Sequence, residues 1–351
     1  MIHCLEIKPT QQPRQVCEMN ERERVIRAIR RHDTDRIPYQ LDLTLGVHDK
    51  LTDYYQDGAF LYSRVGNHLI REKNKNHKHI DTRTHQDLFG VIWHQDREGG
   101  DIGTISEYFF KEPDITLYSF PEPDVNLIRG KCERIVREYN HLFKIFEIGF
   151  ALFERAWTLR GMESLLMDFI LNEAFVANLL DRILDYNLKV IDIAAQYPID
   201  CIMFGDDWGQ QNGLIMGPRL WQKYIRPRIA QMYERVKKHG LYVAQHSCGD
   251  NYPLFGVLIE MGLDIYNTFQ PEIYDIVKFK AEFGKDLTIY GGVSTQGILS
   301  QGTPEEVRSE TKRMMDVLGK NGGYIVAPTH QITTDIPLEN ILAFIEAVKG
   351  E

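Results

Sequence analysis

Asp200-Cys-Ile-Met-Phe-Gly-Asp-Asp207 and, a little further on, Leu241-Tyr-Val-Ala-Gln-His-Ser-Cys-Gly249 decide how this chain folds. Each is an apolar run that turns polar only at its C-terminal end. Uninterrupted apolar runs suit strands covered on both faces, the habit of parallel sheets. Between the two lies a helical pattern over 218–238, with Pro218 in its first turn. Strand, helix, strand in that order predicts a βαβ unit.

The same rhythm extends in both directions. Strands are expected at Leu142–Gly149, Ile265–Phe269, Leu287–Tyr290 and Tyr324–Ala327. Helices are expected over 131–140, 151–156, 161–172, 172–196, 252–261, 272–282, 304–319 and 337–349. Nearer the start, Asn20 with Glu23 three residues on reads as a helix N-cap. A short strand, Ile37 to Leu43, follows, then helices near 47–56 and 59–72, then a weakly patterned stretch to residue 130. Residues 1–18, broken by Pro9 and Pro13, read as a flexible arm, and 19–351 as one domain.

Polar residues cluster where the strands end: Glu147, Asp206 and Asp207, His246 and Cys248, Gln270, Gly291 and Gly292, Thr329 and His330. In an α/β barrel that rim carries the chemistry. A doubly wound sheet also binds ligands at its C-terminal strand ends, so the pattern alone leaves both architectures open.

Composition narrows the function. Hydrophobic residues are 43% and charged residues 26%, the proportions of a globular protein. A net charge of −9 argues against non-specific nucleic-acid binding. No signal-peptide pattern or apolar run of membrane-spanning length is apparent. Five scattered cysteines make no disulfide framework and fit a reducing cytoplasm, the expected location. Neither a Walker A loop nor a G-x-G-x-x-G or G-x-S-x-G motif is present.

His246 and Cys248 stand at i and i+2 on one strand, so their side chains share a face, a sound geometry for two zinc ligands. The bland alternative is a core cysteine beside a satisfied histidine. His330, ending another strand, is the candidate third ligand; three protein ligands with one open position mark catalytic zinc. Asp206 and Asp207 point to opposite sides of their strand, so one of them at most enters the site, as acid/base or as a partner to a ligand; the alternative is a loop acid capping a turn. Gly291-Gly292 is either a close approach to ligand or a tight turn. His77, His79 and His85 read as solvated surface, and the arginine-rich helix 21–31 as a solvated face.

These residues together resemble the uroporphyrinogen decarboxylase superfamily over nearly all of the chain after residue 19. The landmarks are ERVIRAIRRHDTDRIPY, EIGFALFERAWTLRGMESLLMDF, FGDDWGQQNGLIMGPRLWQKYIRPRIAQM, HGLYVAQHSCGD, YGGVSTQGIL and GGYIVAPTHQITTDIPLENILAFIEAV. The resemblance implies a single (β/α)8 TIM-type barrel with an N-terminal helical extension. True decarboxylases of this kind carry an arginine-rich motif, roughly R-Q-A-G-R-Y, for a polycarboxylate; Pro38-Tyr-Gln-Leu-Asp-Leu-Thr44 has none. The other branch is the zinc methyltransferases that work with corrinoid proteins. Its thiol-methylating members bind zinc through an H-x-C pair and a later cysteine in a segment like A-P-G-C. Here that segment is Ala327-Pro-Thr-His330, so the implied ligands are His246, Cys248 and His330.

One thiolate with two neutral imidazoles leaves zinc more Lewis-acidic than two thiolates would. That suits a methoxy or methylamine substrate whose methyl group passes to the cobalt of a cobalamin-carrying partner protein. On this reading Asp206 or Asp207 orients or protonates the leaving group, and Glu147, Gln270 and Gly292 contact substrate. A homodimer is the base expectation for a soluble oligomer. The alternatives are a metal-independent decarboxylase and a non-catalytic barrel that only binds.

Overall fold

The computed structural model describes residues 19–95 and 103–351, so the arm expected at 1–18 lies outside the described residues. Seven parallel strands form the main sheet, and their spatial order is their chain order. They are β1 (Leu69–Lys73), β2 (Phe143–Ile148), β3 (Cys201–Gly205), β4 (Tyr242–His246), β5 (Ile265–Phe269), β6 (Thr288–Val293) and β7 (Tyr324–Pro328). Helices follow them in βαβ fashion, the longest being Glu173–Ala194 between β2 and β3. This is a TIM-type α/β architecture, the one of the two that the family resemblance implies.

Residues 38–43 lie between the two edges of the sheet. On one side Gln40 N–H donates to the Val326 carbonyl at 3.0 Å, and Val326 N–H to that of Pro38 at 2.9 Å. On the other side His68 N–H donates to the Tyr39 carbonyl at 3.2 Å, and the Asn67 side-chain amide pairs with Leu41 N–H and C=O at 3.0 and 2.9 Å. The strand expected at Ile37–Leu43 is therefore an irregular segment with isolated bridges, Tyr39 to Val326 and Leu43 to Ile332. A side-chain amide takes the place of part of a backbone ladder, and Pro38 has no N–H to give.

The helix expected at 59–72 is replaced by a short π-helical turn, Leu61–Val65, closed by Gly66 at φ +80°, and by β1. Leu-Ile-Arg-Glu-Lys has the mixed polarity of a helix face. Pairing with β2, from Leu69 opposite Phe143 to Lys73 opposite Glu147, decides for a strand.

The strands alternate between two cores. Outward residues such as Ile70, Phe146, Ile202, Phe204, Val243, Ile289 and Val326 pack under the helices in the larger cluster. Inward residues form a separate one: Leu69, Phe143, Ile145, Cys201, Met203, Ala244, Ile265, Tyr290, Ile325 and Ala327. The period of two fixes what comes next along each inward row. Above Leu69 stands Arg71; above Ile145, Glu147; above Ala244, His246; above Ile265, Asn267.

The helix Glu21–Ile29 closes the other end of this inner core. The Asn20 side chain accepts from Glu23 N–H at 2.8 Å, the expected cap. Val25 and Ile29 join the inner cluster. Its arginines are not all solvated: Arg24 is buried, donates to Asp35 at 2.6 Å and to the Met19 carbonyl at 2.6 Å, and lies 2.7 Å from His68 Nε2.

A small antiparallel sheet (His77–His79, Thr84–Asp87, Ile92–His94 and Thr104–Ile105) stands apart from the main one. Among the described residues, no helix is long and apolar enough to cross a membrane.

Ile29 is 4% exposed in the inner core. Ile29→Ala should lower stability by about 2–5 kcal/mol. A shift of the urea midpoint at unchanged slope measures it.

Candidate functional site

The inward rows open at their C-terminal ends into a cavity of about 480 Å3. Arg71, Glu147, Asp207, His246, Asn267 and His330 contribute to its wall, with residues of the small sheet. A second cavity of about 340 Å3 is lined by Cys248, Gln270 and Thr295 among others. Thr329 and His330 line both cavities.

His246 ends β4 and Cys248 follows in the turn. His246 Nδ1 lies 2.6 Å from Asn267 Oδ1. The Asn267 amide nitrogen donates to the Tyr290 carbonyl at 3.2 Å, which fixes which end of the amide faces the imidazole. His246 therefore donates from Nδ1 and keeps a lone pair on Nε2, the arrangement of a metal-binding histidine. That Nε2 is 3.7 Å from Cys248 Sγ and 3.9 Å from Asp207 Oδ1. Asp207, His246 and Cys248 thus bring their ligand atoms within 4.8 Å of one another.

A tetrahedral zinc, with bonds of about 2.0 Å to nitrogen and 2.3 Å to sulfur, sets those two donors about 3.5 Å apart. The His246–Cys248 separation matches. The His330 ring stands edge-on to that of His246, with centroids 6.0 Å apart. Two imidazoles on one tetrahedral ion would be about 5 Å apart. His330, exposed on the rim, needs a ring rotation to join; Asp207 is already beside the pair.

The turn carrying Cys248 is held rigidly. Asp207 accepts from Cys248 N–H at 2.7 Å, Gln270 from Gly249 N–H at 3.0 Å, and Asn251 donates to the Cys248 carbonyl at 3.0 Å. Gly249 has φ +77°, and a Cβ there would overlap the Gly209 backbone, so two glycines let the β3 and β4 turns touch.

Electrostatics single out the cluster. Burial pushes the Cys248 thiol pKa up, and Asp207 beside it adds to the rise. Burial also raises Glu154 well above the ordinary carboxyl range, with Asp207 and Asp206 reinforcing it. His330 is shifted down, by burial and then by His246.

Not every expected site residue meets the cavity. Asp206 is fully buried: it accepts from the backbone N–H of Leu152, Phe153 and Glu154 at 3.2, 3.1 and 2.8 Å and from the Trp208 indole at 2.6 Å. It caps the helix Phe153–Arg160 and reaches neither cavity, because adjacent residues of a strand end face opposite ways. Gly292 (φ +97°) also lies outside both; a Cβ there would meet the Tyr324 hydroxyl at 2.8 Å. Its role is close packing of β6. Gln270 lines the smaller cavity while holding the Cys248 turn.

Glu147 does line the larger one, but Arg71 binds it, at 2.7 and 3.1 Å, and Asp42 at 2.7 Å. Burial works to raise the Glu147 pKa, yet Arg71, then Lys73 and His246, take it down to about 2. The histidines expected on the surface also line this cavity: His77, His79 and His85, the last 4% exposed.

Arg71, Asn267, Glu154 and Asp42 were not read from the sequence. Asn267 had a signal, a lone polar residue at an inward position of the apolar run Ile265–Phe269.

With this geometry in hand, the relatives can be placed. Residues 98–351 match the family described as uroporphyrinogen decarboxylase (URO-D), and the chain belongs to that family. A methylated-thiol–coenzyme M methyltransferase of Methanosarcina mazei is 19% identical over 64% of this chain and 58% of its own length. A methylcobamide:CoM methyltransferase, MtbA, of Methanosarcina acetivorans is 22% identical over 66% of each. The matches thus span somewhat under two thirds of these relatives. Among solved structures, a methyltransferase from Methanosarcina mazei superposes with a TM-score of 0.71 over 95% of this chain and 99% of its own, at 15% identity, a likeness of fold.

The two strand-end acids should separate by experiment. Asp206→Ala leaves several buried donors unpaired at roughly 1–3 kcal/mol each, so its loss should appear in the melting temperature. Asp207→Ala, at a side chain 35% exposed, should cost less stability.

Glu147, depressed to about 2 when folded, contributes stability above its unfolded pKa near 4.5 and loses it as pH falls from there toward 2. The wild-type advantage over Glu147→Gln in urea unfolding should therefore be full at pH 6 and shrink steadily below pH 4.5.

Proposed function

We propose that this protein is a methyltransferase that moves a methyl group between a small methylated substrate and the cobalt of a corrinoid held by a separate protein. One zinc ion, bound by His246 and Cys248, belongs to this reading. The observation that carries it is the 3.7 Å separation of His246 Nε2 and Cys248 Sγ, with His246 locked by Asn267 at the wall of the cavity. The relatives named as corrinoid-linked methyltransferases support the reaction class.

When bound, the zinc supplies Lewis acidity to the heteroatom that carries the methyl group. The third ligand is His330 or Asp207. A catalytic site keeps one position for substrate, so the two do not both hold the metal throughout. The rest falls to side chains of this chain. Asn267 holds the imidazole, Asp207 fixes the Cys248 turn, and Glu154, kept protonated by burial and its acidic neighbours, holds a proton next to Asp207.

Decarboxylation of a polycarboxylate is the weaker reading. Such a substrate needs several unpaired cations in a dry site. Arg71 is already held by Asp42 and Glu147, and Arg155 by Asp87 at 2.6 Å.

Metal analysis is the first test. Protein supplied with zinc should hold one ion per chain, and Cys248→Ala should lose both zinc and methyl transfer while keeping a cooperative melt. Zinc titration of His330→Ala and Asp207→Ala identifies the third ligand by the larger loss of affinity. A metal-free protein that converts uroporphyrinogen to coproporphyrinogen would replace this reading with the decarboxylase.

A further inference from the structure

Where the small sheet meets the loop after β2, the larger cavity is aromatic, and charge holds its rings in place. Trp93 and Phe150 lie 5.4 Å apart, tilted at 39°. Asp87 accepts from the Trp93 indole at 3.2 Å and from Arg155 at 2.6 Å. The Arg155 guanidinium in turn lies 4.3 Å from the centroid of Phe89 and 5.4 Å from that of Phe150. Phe150 has φ +50°, a left-handed conformation uncommon for a bulky residue and kept only where the surroundings impose it. All of these residues line the same cavity as His246.

This wall does not suit a methyl donor of a few atoms. At about 480 Å3 the cavity is in the range that encloses a drug-sized ligand. Methanol or a methylamine would leave the rings facing water and would use neither Trp93 nor Phe150. A flat ring can stack against the pair, and such contacts favour offset or tilted geometry. Chemistry points the same way. A phenol has a pKa of about 10, so a phenolate leaves far more readily than an alkoxide.

Building on the methyl-transfer reading above, we propose that the methyl donor is an aryl methyl ether, its ring held by Trp93 and Phe150 and its ether oxygen turned to His246. In the transfer the O–CH3 bond breaks. The methyl carbon bonds to Co(I) of the corrinoid, which supplies both electrons and becomes Co(III). The pair of the broken bond stays on the aryl oxygen, which takes one proton and leaves as a phenol.

Calorimetry on the zinc-loaded full chain tests the donor class, with 2-methoxyphenol and 4-methoxybenzoate against trimethylamine and methanol. At least one aryl ether should bind saturably, at least tenfold tighter than either small donor. Phe150→Leu should weaken that binding about tenfold while retaining zinc and a cooperative melt. In the unmodified protein, ring protons of the bound ether should show NOEs to the Trp93 indole, a readout independent of how the variant folds.

With Co(I) cobalamin as acceptor under anaerobic conditions, the same ether should yield methylcobalamin and the phenol. If trimethylamine or methanol is demethylated and neither aryl ether binds, the donor class is wrong and the methyltransferase reading survives. If an aryl ether binds at Trp93 with no methyl transferred to cobalt, the ligand class stands and the reaction falls. An aryl ether bound without contact to Trp93, or unaffected by Phe150→Leu, overturns the proposed wall.

Discussion

Arg71 is the cation on which the upper half of the interior depends. It stands on β1 and binds Glu147 on β2 and Asp42 on the irregular segment 38–43. Tyr290 on β6 donates to the same Asp42 at 3.2 Å. One guanidinium thereby ties β1 and β2 to segment 38–43, which is itself held to the sheet only by isolated bridges. Its partners are 26% and 12% exposed, so the pairs are poorly screened by water. Removing one member of such a set leaves a buried charge without its counterpart, at a cost of about 3–5 kcal/mol, although apolar residues throughout would serve stability as well. What the triad adds is geometry: the planar fork fixes Asp42 and Glu147 relative to each other below His246 and Cys248.

The inward rows explain why a charged layer can exist there. Below Arg71 and Glu147 lie Leu69, Phe143, Ile145, Cys201 and Met203, and below them Val25 and Ile29 of the first helix. Water is excluded from one end, so polarity is placed only at the other. The helix Glu21–Ile29 is part of that exclusion, and its arginines reach its edges to pair with Asp35 and with Asp200.

From residue 142 onward the sequence was readable, because the strands there are apolar runs and helices such as Glu173–Ala194 and Pro304–Leu318 are long enough to show their period. The early third was not. β1 carries Arg71 and Lys73 inward, so it lacks the apolar signature that marks its neighbours. The wall built by Trp93, Asp87 and Arg155 depends on contacts between distant segments, and no local pattern announces it. At the site, spacing was enough to pair His246 with Cys248 on one face. It could not choose between Asp206 and Asp207, since both are acids at one strand end and only the three-dimensional path of residues 152–154 sends Asp206 to cap a helix. His77 and His85 looked solvated because charged residues surround them in sequence; their rings, 4.2 Å apart, line the cavity instead.

Among the described residues, Glu154 and Asp207 lie next to one another and neither makes an ion pair with a lysine or arginine. Glu154, Asp207 and the Cys248 thiol lie together, and burial raises both the thiol and Glu154 against ionisation. Arg71, the guanidinium on the neighbouring rows, is already committed to Asp42 and Glu147. Glu154 can answer the crowding by staying protonated. Cys248 has another route, because a coordinating thiol gives up its proton to a divalent cation. His246 would suit the same ion on the proposed reading, with its Nδ1 proton held by Asn267 and its Nε2 turned toward sulfur. A second-row amide spent on fixing one tautomer has little purpose for a histidine that only fills space. On the proposed zinc reading, Tyr290, Asn267, His246 and Cys248 form a chain of constraints that would end on the cation, with the open cavity beside it for what that cation would bind.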